Sequence, residues 1–295
     1  MCVDADRRRE FEKLGHRVAL ETEEALERAA VVIDCTPAGN EHKEQWYRRL
    51  SGPRGFIAQG SEFGFGKPYA RGVNDAALVP GEDRFVQVVS CNTHNLSVLI
   101  QSLAGEPRDT VRLREGRFVC IRRANDISQE GDFCPSPRVG RHDDPRFGTH
   151  HARDAWHVFH TLGHDLQLFS SALKVNTQYM HALWFDLVLD RRTTHAEVVA
   201  RLTDNPRVAL TEKTDSGLVF SFGRDHGFFG RILSQTVVSV PTITVRGGRE
   251  VVGFCFTPQD GNALLSSVTA TLWFLYPEGY ERRLDAIRPY FFSEV

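Results

Sequence analysis

The chain has 295 residues, enough for one large α/β domain or two medium ones and for a substantial buried core. Hydrophobic residues make up 41% and charged residues 25%, with a net charge of −2, and the arginines are scattered rather than striped. That balance argues against a nucleic-acid or anionic-membrane partner. No apolar run approaches the roughly 20 residues of a membrane helix. The opening MCVDADRRREFEKLG is charged from its fourth residue, unlike a signal peptide. Six cysteines lie far apart with no C-x-x-C, which favours reduced thiols and a cytoplasmic setting over a disulfide framework.

The first 90 residues alternate helix and strand patterns. DADRRREFEKL predicts a helix ended by Gly15, HRVAL a short strand, and ETEEALERA a helix with Thr22 as its N-cap. AVVID is a continuous apolar run, as in a buried parallel strand. The breaker cluster CTPAGN follows, then a helix over EHKEQWYRRL, a strand in GFIAQGSE and another in FVQVVS. This is the rhythm of a doubly wound sheet, which binds ligands at the carboxyl ends of its strands. CTPAG, QGSE and SCNT would all lie there.

Beyond Cys91 the texture changes. NTHNLSVLIQSLAG predicts a helix, and DTVRLREGRFVCIRRAND long strand material around a Glu-Gly turn. Residues 127–149 are polar and rich in Gly, Pro and Asp, a long loop of the kind that is often functional. HHARDAWHVFHTL is helical, QLFSSALKVN and MHALWFDLVL are consecutive strands, THAEVVARLTDN is a helix and PRVALTE a strand. VVSVPTITVRGGREVVGFCF predicts a hairpin through Gly247-Gly248. GNALLSSVTATLWFL is an apolar helix, followed by a terminal RRLDAIRPYFF. Long strands joined by hairpins, with helices on one side, make an α+β domain.

Several residues have the chemistry of a site. A thiol becomes a nucleophile when it is accessible and its thiolate is favoured. Cys91, where a strand gives way to a helix, would sit by the positive end of the helix dipole, among backbone N–H groups able to hold an oxyanion. The alternative is one more buried small hydrophobe. Arg122 and Arg123 end a strand and point to opposite faces, so one can enter a cleft to bind a phosphate or carboxylate; otherwise both are solvated. His150 and His151 open a helix. His157, His160 and His164 share its face, but without a second ligand cluster no metal is expected. His181 begins an apolar strand, as either a hydrogen-bonded core residue or a base at the strand's mouth. The G-x-G of GFGKP lacks the strand-then-helix context of a dinucleotide site.

VVIDCTPAG, QGSE, VQVVSCNT, IRRAND, THHARD, YMH and DNPRVALTE, in this order over roughly residues 9–260, resemble the motifs of the archaeal-type (type II) phosphorylating glyceraldehyde-3-phosphate dehydrogenases. The resemblance implies an α/β protein: an incomplete Rossmann-type parallel-sheet domain over residues 1–91, completed by C-terminal helices in 262–295, and an α+β catalytic domain over 92–261 with a mixed, largely antiparallel sheet. It implies Cys91 as nucleophile and His181 as general base. Asn92, Thr93, Arg122, Arg123, His150 and His151 would bind substrate and inorganic phosphate. Thr36, Pro37, Gly39, Gln59 and Gly60 would lie around the nicotinamide of NAD or NADP. The implied reaction oxidises a phosphorylated aldehyde through a cysteine thioester that phosphate releases. The implied assembly is a homotetramer.

The chain departs from that pattern in four ways. It opens on what resembles the later part of the first domain, without the G-x-G-x-x-G turn that cradles the dinucleotide phosphates, so an N-terminally incomplete sequence and weak or no NAD(P) binding are expected. His94-Asn95 stands where the family has Thr-Gly after Cys-Asn-Thr, and His94 could pair with Cys91 or alter the substrate pocket. Phe63 stands where a lysine is expected, and YPEGYERRLDAIRPYFFSEV resembles an addition. Two other readings remain open: a semialdehyde dehydrogenase or acyl-phosphate reductase, and a non-catalytic homologue with a binding or regulatory role.

Overall fold

The computed structural model describes residues 2–60, 62–106, 110–125 and 134–295. Parts of the sequence motifs (Ser61 in QGSE, Asp126 in IRRAND, Asp109, and residues 127–133 of the long polar loop) lie outside the described residues.

Two sheets organise the chain. The small one is wholly parallel, in the order Val31–Asp34, Gly55–Gln59, Phe85–Val88, Lys67–Tyr69. The strand Lys67–Tyr69 was not foreseen. It contains Pro68 and has a single neighbour, the edge position a strand proline tolerates. Among the described residues the large sheet has seven strands, in the order Arg138–Val139, Leu168–Lys174, Leu113–Arg122, His181–Leu189, Glu250–Thr257, Thr236–Arg246, Val208–Thr211. It is mixed: four of its pairings are antiparallel and two parallel. The expected α/β class with a parallel and a mixed sheet is therefore what the chain forms.

The helix Cys91–Ala104 joins the two halves. All of its residues except Cys91 and Gln101 are buried. It packs against the helices His150–His160, His195–Thr203 and Gly261–Leu275 and against the large sheet. A helix surrounded in this way needs no polar face, which accounts for the run LSVLIQSLA. Leu96, Leu99, Ile100 and Leu103 are fully enclosed in the main core with Phe118, Leu183 and Phe185.

The helix Gly261–Leu275 turns back onto the small sheet. Ala270, Trp273 and Phe274 pack on Ile57, Tyr69, Val86 and Val88. Gly55 is required there, because a Cβ would run into the Phe274 ring. The chain end then leaves that sheet: Leu210 donates its amide to Ser293 O, and Val295 donates to Leu210 O, both at 2.9 Å, on the edge of the large sheet.

Several local expectations are corrected. Thr22 is the first residue of the helix Thr22–Arg28, with Glu21 at the cap position. Only Leu20–Glu21 of HRVAL and its neighbour is strand. Glu115-Gly116 makes no turn, since Leu113–Arg122 runs straight through it. Leu168–Lys174 and His181–Leu189 are consecutive in sequence, but Leu113–Arg122 lies between them. The hairpin at Gly247-Gly248 forms as expected, with φ of 55° and 69°, values that favour glycine.

Candidate active site

Ser90 caps the Cys91 helix: its side chain accepts from the Thr93 amide at 3.4 Å, and its hydroxyl lies 2.9 Å from Thr93 Oγ1. Cys91 is thereby the first helical residue, half-exposed, while Cys120, Cys134 and Cys255 are buried. Burial pushes the Cys120 thiol far up and the Cys255 thiol up to about 12, so both stay protonated and inert.

Cys91 opens into a cleft of ≈ 640 Å³. Arg122, His150, His151, His181, Asn92, Gln59 and Gly60 also line it. Alternation brings Arg122 there. It follows Phe118 and Cys120 on the face of the strand covered by helices, and it is exposed where the strand ends. Arg123, on the opposite face, is buried and donates to Tyr179 O at 2.9 Å, lining a separate small cavity with Met180 and Phe220.

His150 and His151 stack with ring centroids 4.0 Å apart at the start of their helix. Burial lowers the pKa of His150 despite Asp154, and it lowers that of His151 much further, with His150, Arg122 and His181 adding repulsion. The pair is therefore neutral near pH 7, leaving Arg122 as the cation among the expected anion-binding residues of this cleft. His151 is held between Thr149 Oγ1 at 3.1 Å from Nδ1 and Asn92 Nδ2 at 3.4 Å from Nε2. Asn92 Oδ1 in turn accepts from Thr257 Oγ1 at 3.1 Å.

His181 starts the central strand of the large sheet. The Arg123 amide donates to its Nδ1 at 3.0 Å. A backbone N–H can only donate, so the neutral ring carries its proton on Nε2.

Thr93 is fully buried at the helix cap and does not line the cleft. Thr36 lies in an adjoining cleft of ≈ 540 Å³ on the small sheet, which shares Cys35 with the first. There Thr36 donates its amide and hydroxyl to Asp34 Oδ1, at 2.8 and 2.7 Å. Pro37 is exposed and lines neither cleft. Gly39 is buried against Ala58 and Glu62.

His94 does not face the thiol. It is fully buried, and its ring nitrogens meet Ser90 O at 3.0 Å and Ser266 Oγ at 2.7 Å. Phe63 lies 4.4 Å under the Arg153 guanidinium and packs on His157, tying the loop after Gln59 to the His150–His160 helix. His157 and His160 contact Trp156, and among the described residues no group of three or more His, Cys, Asp or Glu is placed to hold a metal ion.

Three features of the site carried no sequence signal of their own. Asp34 accepts from His42 Nδ1 and the Tyr47 hydroxyl, both at 2.8 Å. Asn262 donates to Cys91 O at 2.9 Å. Phe229, Arg231 and Asp260 form the far rim of the cleft, with Arg231 paired to Asp260 at 3.3 Å. Asn262 and Asp260 are foreign to any short motif because only the return of the last long helix brings them to Cys91.

No family model matches the chain. It is similar to the glyceraldehyde-3-phosphate dehydrogenase of Pyrobaculum calidifontis, 27% identical over 259 residues that cover 82% of this chain and 69% of that protein. The enzyme of Metallosphaera sedula is 27% identical over 255 residues, 84% and 71% of the two chains. That of Aeropyrum pernix is 30% identical over 213 residues, 71% and 58%. The chain is a divergent relative of the archaeal-type glyceraldehyde-3-phosphate dehydrogenases.

Proposed function

We propose that this chain is a nicotinamide-dependent oxidoreductase of the glyceraldehyde-3-phosphate dehydrogenase type, which oxidises an aldehyde through a thioester on Cys91 and releases it with phosphate. The observation that carries this reading is the half-exposed Cys91 in the first turn of a 14-residue helix, sharing one cleft with Arg122, His150, His151 and His181. N–H groups in that turn and the helix dipole favour a thiolate. Domain limits of 1–91 with 262–295, and 92–261, go with the same proposal.

In the proposed sequence the Cys91 thiolate adds to the carbonyl carbon, and the negative charge moves to oxygen. His181, protonated on Nε2, meets that oxygen as a donor. With a thiolate to begin with, no base is needed to unmake a hydroxyl, so the general-base role inferred from sequence becomes that of an oxyanion donor. Loss of hydride from the same carbon re-forms the carbonyl as a thioester. Phosphate then attacks that carbonyl, the charge returns briefly to the oxygen beside His181, and the C–S bond breaks to free thiolate and acyl phosphate. The phosphate proton leaves to solvent. Arg122 supplies the charge for one anion, and the neutral His150 and His151 supply hydrogen bonds rather than charge.

A nicotinamide would accept the hydride. Gln59 and Gly60 fit its ring end. They line the cleft beside Cys91, and Gly60, at φ 77°, has open space where a Cβ would stand. Thr36 is offered from the adjoining cleft as a contact further along. Pro37 and Gly39 act, in this reading, by shaping the turn. The aldehyde is phosphorylated or otherwise acidic, since Arg122 faces it. A homotetramer and a cytoplasmic setting belong to the proposal by relationship alone.

Iodoacetamide near neutral pH tests the nucleophile. Cys91 is expected to label first, as located by peptide mass. Labelling no faster than Cys120 or Cys255 would overturn the reading.

A further inference from the structure

We propose that His94 is a positioning residue for Cys91, clamping the Ser90–Cys91 peptide so that the helix presents its first-turn N–H groups and the thiol in one fixed direction. The inference rests on the reading of Cys91 as nucleophile. It follows from who can donate to whom. Ser90 O accepts the His94 backbone N–H at 2.9 Å, as any N-cap carbonyl would. His94 Nδ1 then approaches the same oxygen at 3.0 Å. A carbonyl only accepts, so the ring proton is on Nδ1, and Nε2 is left as an acceptor. Ser266 Oγ fills that role, donating at 2.7 Å, while it accepts the Arg71 amide at 3.1 Å.

The tautomer is thus specified from both sides, and one carbonyl receives two donors from one residue. The peptide unit is planar, so fixing the Ser90 oxygen also fixes the N–H on the opposite side and the Cα that bears the thiol. Burial keeps His94 neutral, its pKa pushed down to about 4, so the donor pattern holds at neutral pH.

The clamp also has a far anchor. Ser266 stands on the helix Gly261–Leu275, one turn beyond Asn262, whose Nδ2 donates to the Cys91 carbonyl at 2.9 Å. The peptides on both sides of the Cys91 Cα are therefore tied to a single helix, and that helix packs on the small sheet. A residue that served packing alone would need neither the second donor on Ser90 O nor the Ser266 hydroxyl.

The test compares iodoacetamide labelling of Cys91 in the wild type, His94→Leu, His94→Gln and Ser266→Ala, with thermal unfolding measured alongside. His94→Leu keeps volume but loses the donor, and labelling is expected to slow about tenfold. Glutamine offers both a donor and an acceptor, so His94→Gln should return to within about threefold of wild type. Ser266→Ala removes the hold on Nε2 together with the acceptor of the Arg71 amide, and a slowing of about two- to fivefold is expected, with thermal unfolding showing that the protein remains folded. Wild-type labelling in a folded His94→Leu, glutamine no better than leucine, or an unaffected Ser266→Ala would each overturn the clamp. If His94→Leu does not fold, the glutamine and Ser266→Ala arms still decide. A wild-type Cys91 no faster than Cys255 would instead sink the nucleophile.

Discussion

The two ends of the cleft are built differently. At the Cys91 end the helix residues that follow the thiol are buried and tied: Asn92 to His151 and Thr257, Asn95 to Thr257, His94 to Ser90 and Ser266. At the other end, the first strand of the small sheet has a single neighbour, and Ile33 is 43% exposed beside an open cleft shared with Phe11, Leu26 and Trp46. A dense polar feature there is the Asp34 cluster. Burial by itself would raise the Asp34 pKa, but donors from Thr36, His42 and Tyr47 outweigh it and hold the carboxylate below its ordinary range. The contrast teaches that the side chains around Cys91 are fixed by hydrogen bonds from several distant elements, whereas the outer face of the small sheet carries an open apolar surface.

That contrast can be broken at several strengths. Cys91→Ser should remove essentially all fast thiol labelling and all burst acylation by an activated ester such as p-nitrophenyl acetate, with a drop of about 10³-fold or more. A remaining burst would move the chemistry elsewhere. Leu99→Ala, in the enclosed helix, should cost about 2–5 kcal/mol in denaturant unfolding. Ile33→Ala, on the open face, should stay within about 0.5 kcal/mol. Equal losses would show that the open face is in fact packed.

The pH dependence of stability separates the two ends again. His94 falls from an ordinary 6.5 to about 4 on folding. Its neutral form is favoured in the fold, so its contribution is complete above pH 6.5 and is lost as pH falls from 6.5 to 4, amounting to up to about 3 kcal/mol. His151, also lowered, adds to the loss in acid. His94→Gln should therefore unfold with a shallower pH slope in that window than wild type, and an unchanged slope would count against a buried neutral ring. The lowered Asp34 acts in a different window: its contribution is present above the ordinary 3.8 and is lost only as pH falls below it. The smallest effect among the buried polar groups is expected for Tyr47→Phe. Asp34 keeps donors from Thr36 and His42, so about 1 kcal/mol is lost, readable as a lower denaturant midpoint at constant slope.

Much of the fold was legible because local patterns are strong. Continuous apolar runs read correctly as Val31–Asp34 and Gly55–Gln59, and Gly247-Gly248 marked its hairpin. The Pro-containing strand Lys67–Tyr69 was not legible, since its pairing with Phe85–Val88 comes only from the sheet edge it completes. Of the candidate site, Cys91, Asn92, Arg122, His150, His151, His181, Gln59 and Gly60 meet in one cleft. Arg123 and Thr93 do not. Sequence established that two adjacent arginines face opposite ways, while only the sheet's covered side decided which one reaches the cleft.

By itself the sequence determined the types of most of the long elements and the placing of a cysteine at a strand-to-helix junction, because these depend on periodicity and capping within a few residues. The tertiary structure alone decided the tautomers of His94 and His181, the neutral state of the His150-His151 pair, and the hold of Asn262 on Cys91. Each depends on which donor or acceptor arrives from a distant part of the chain, and on how much water the packing removes from around it.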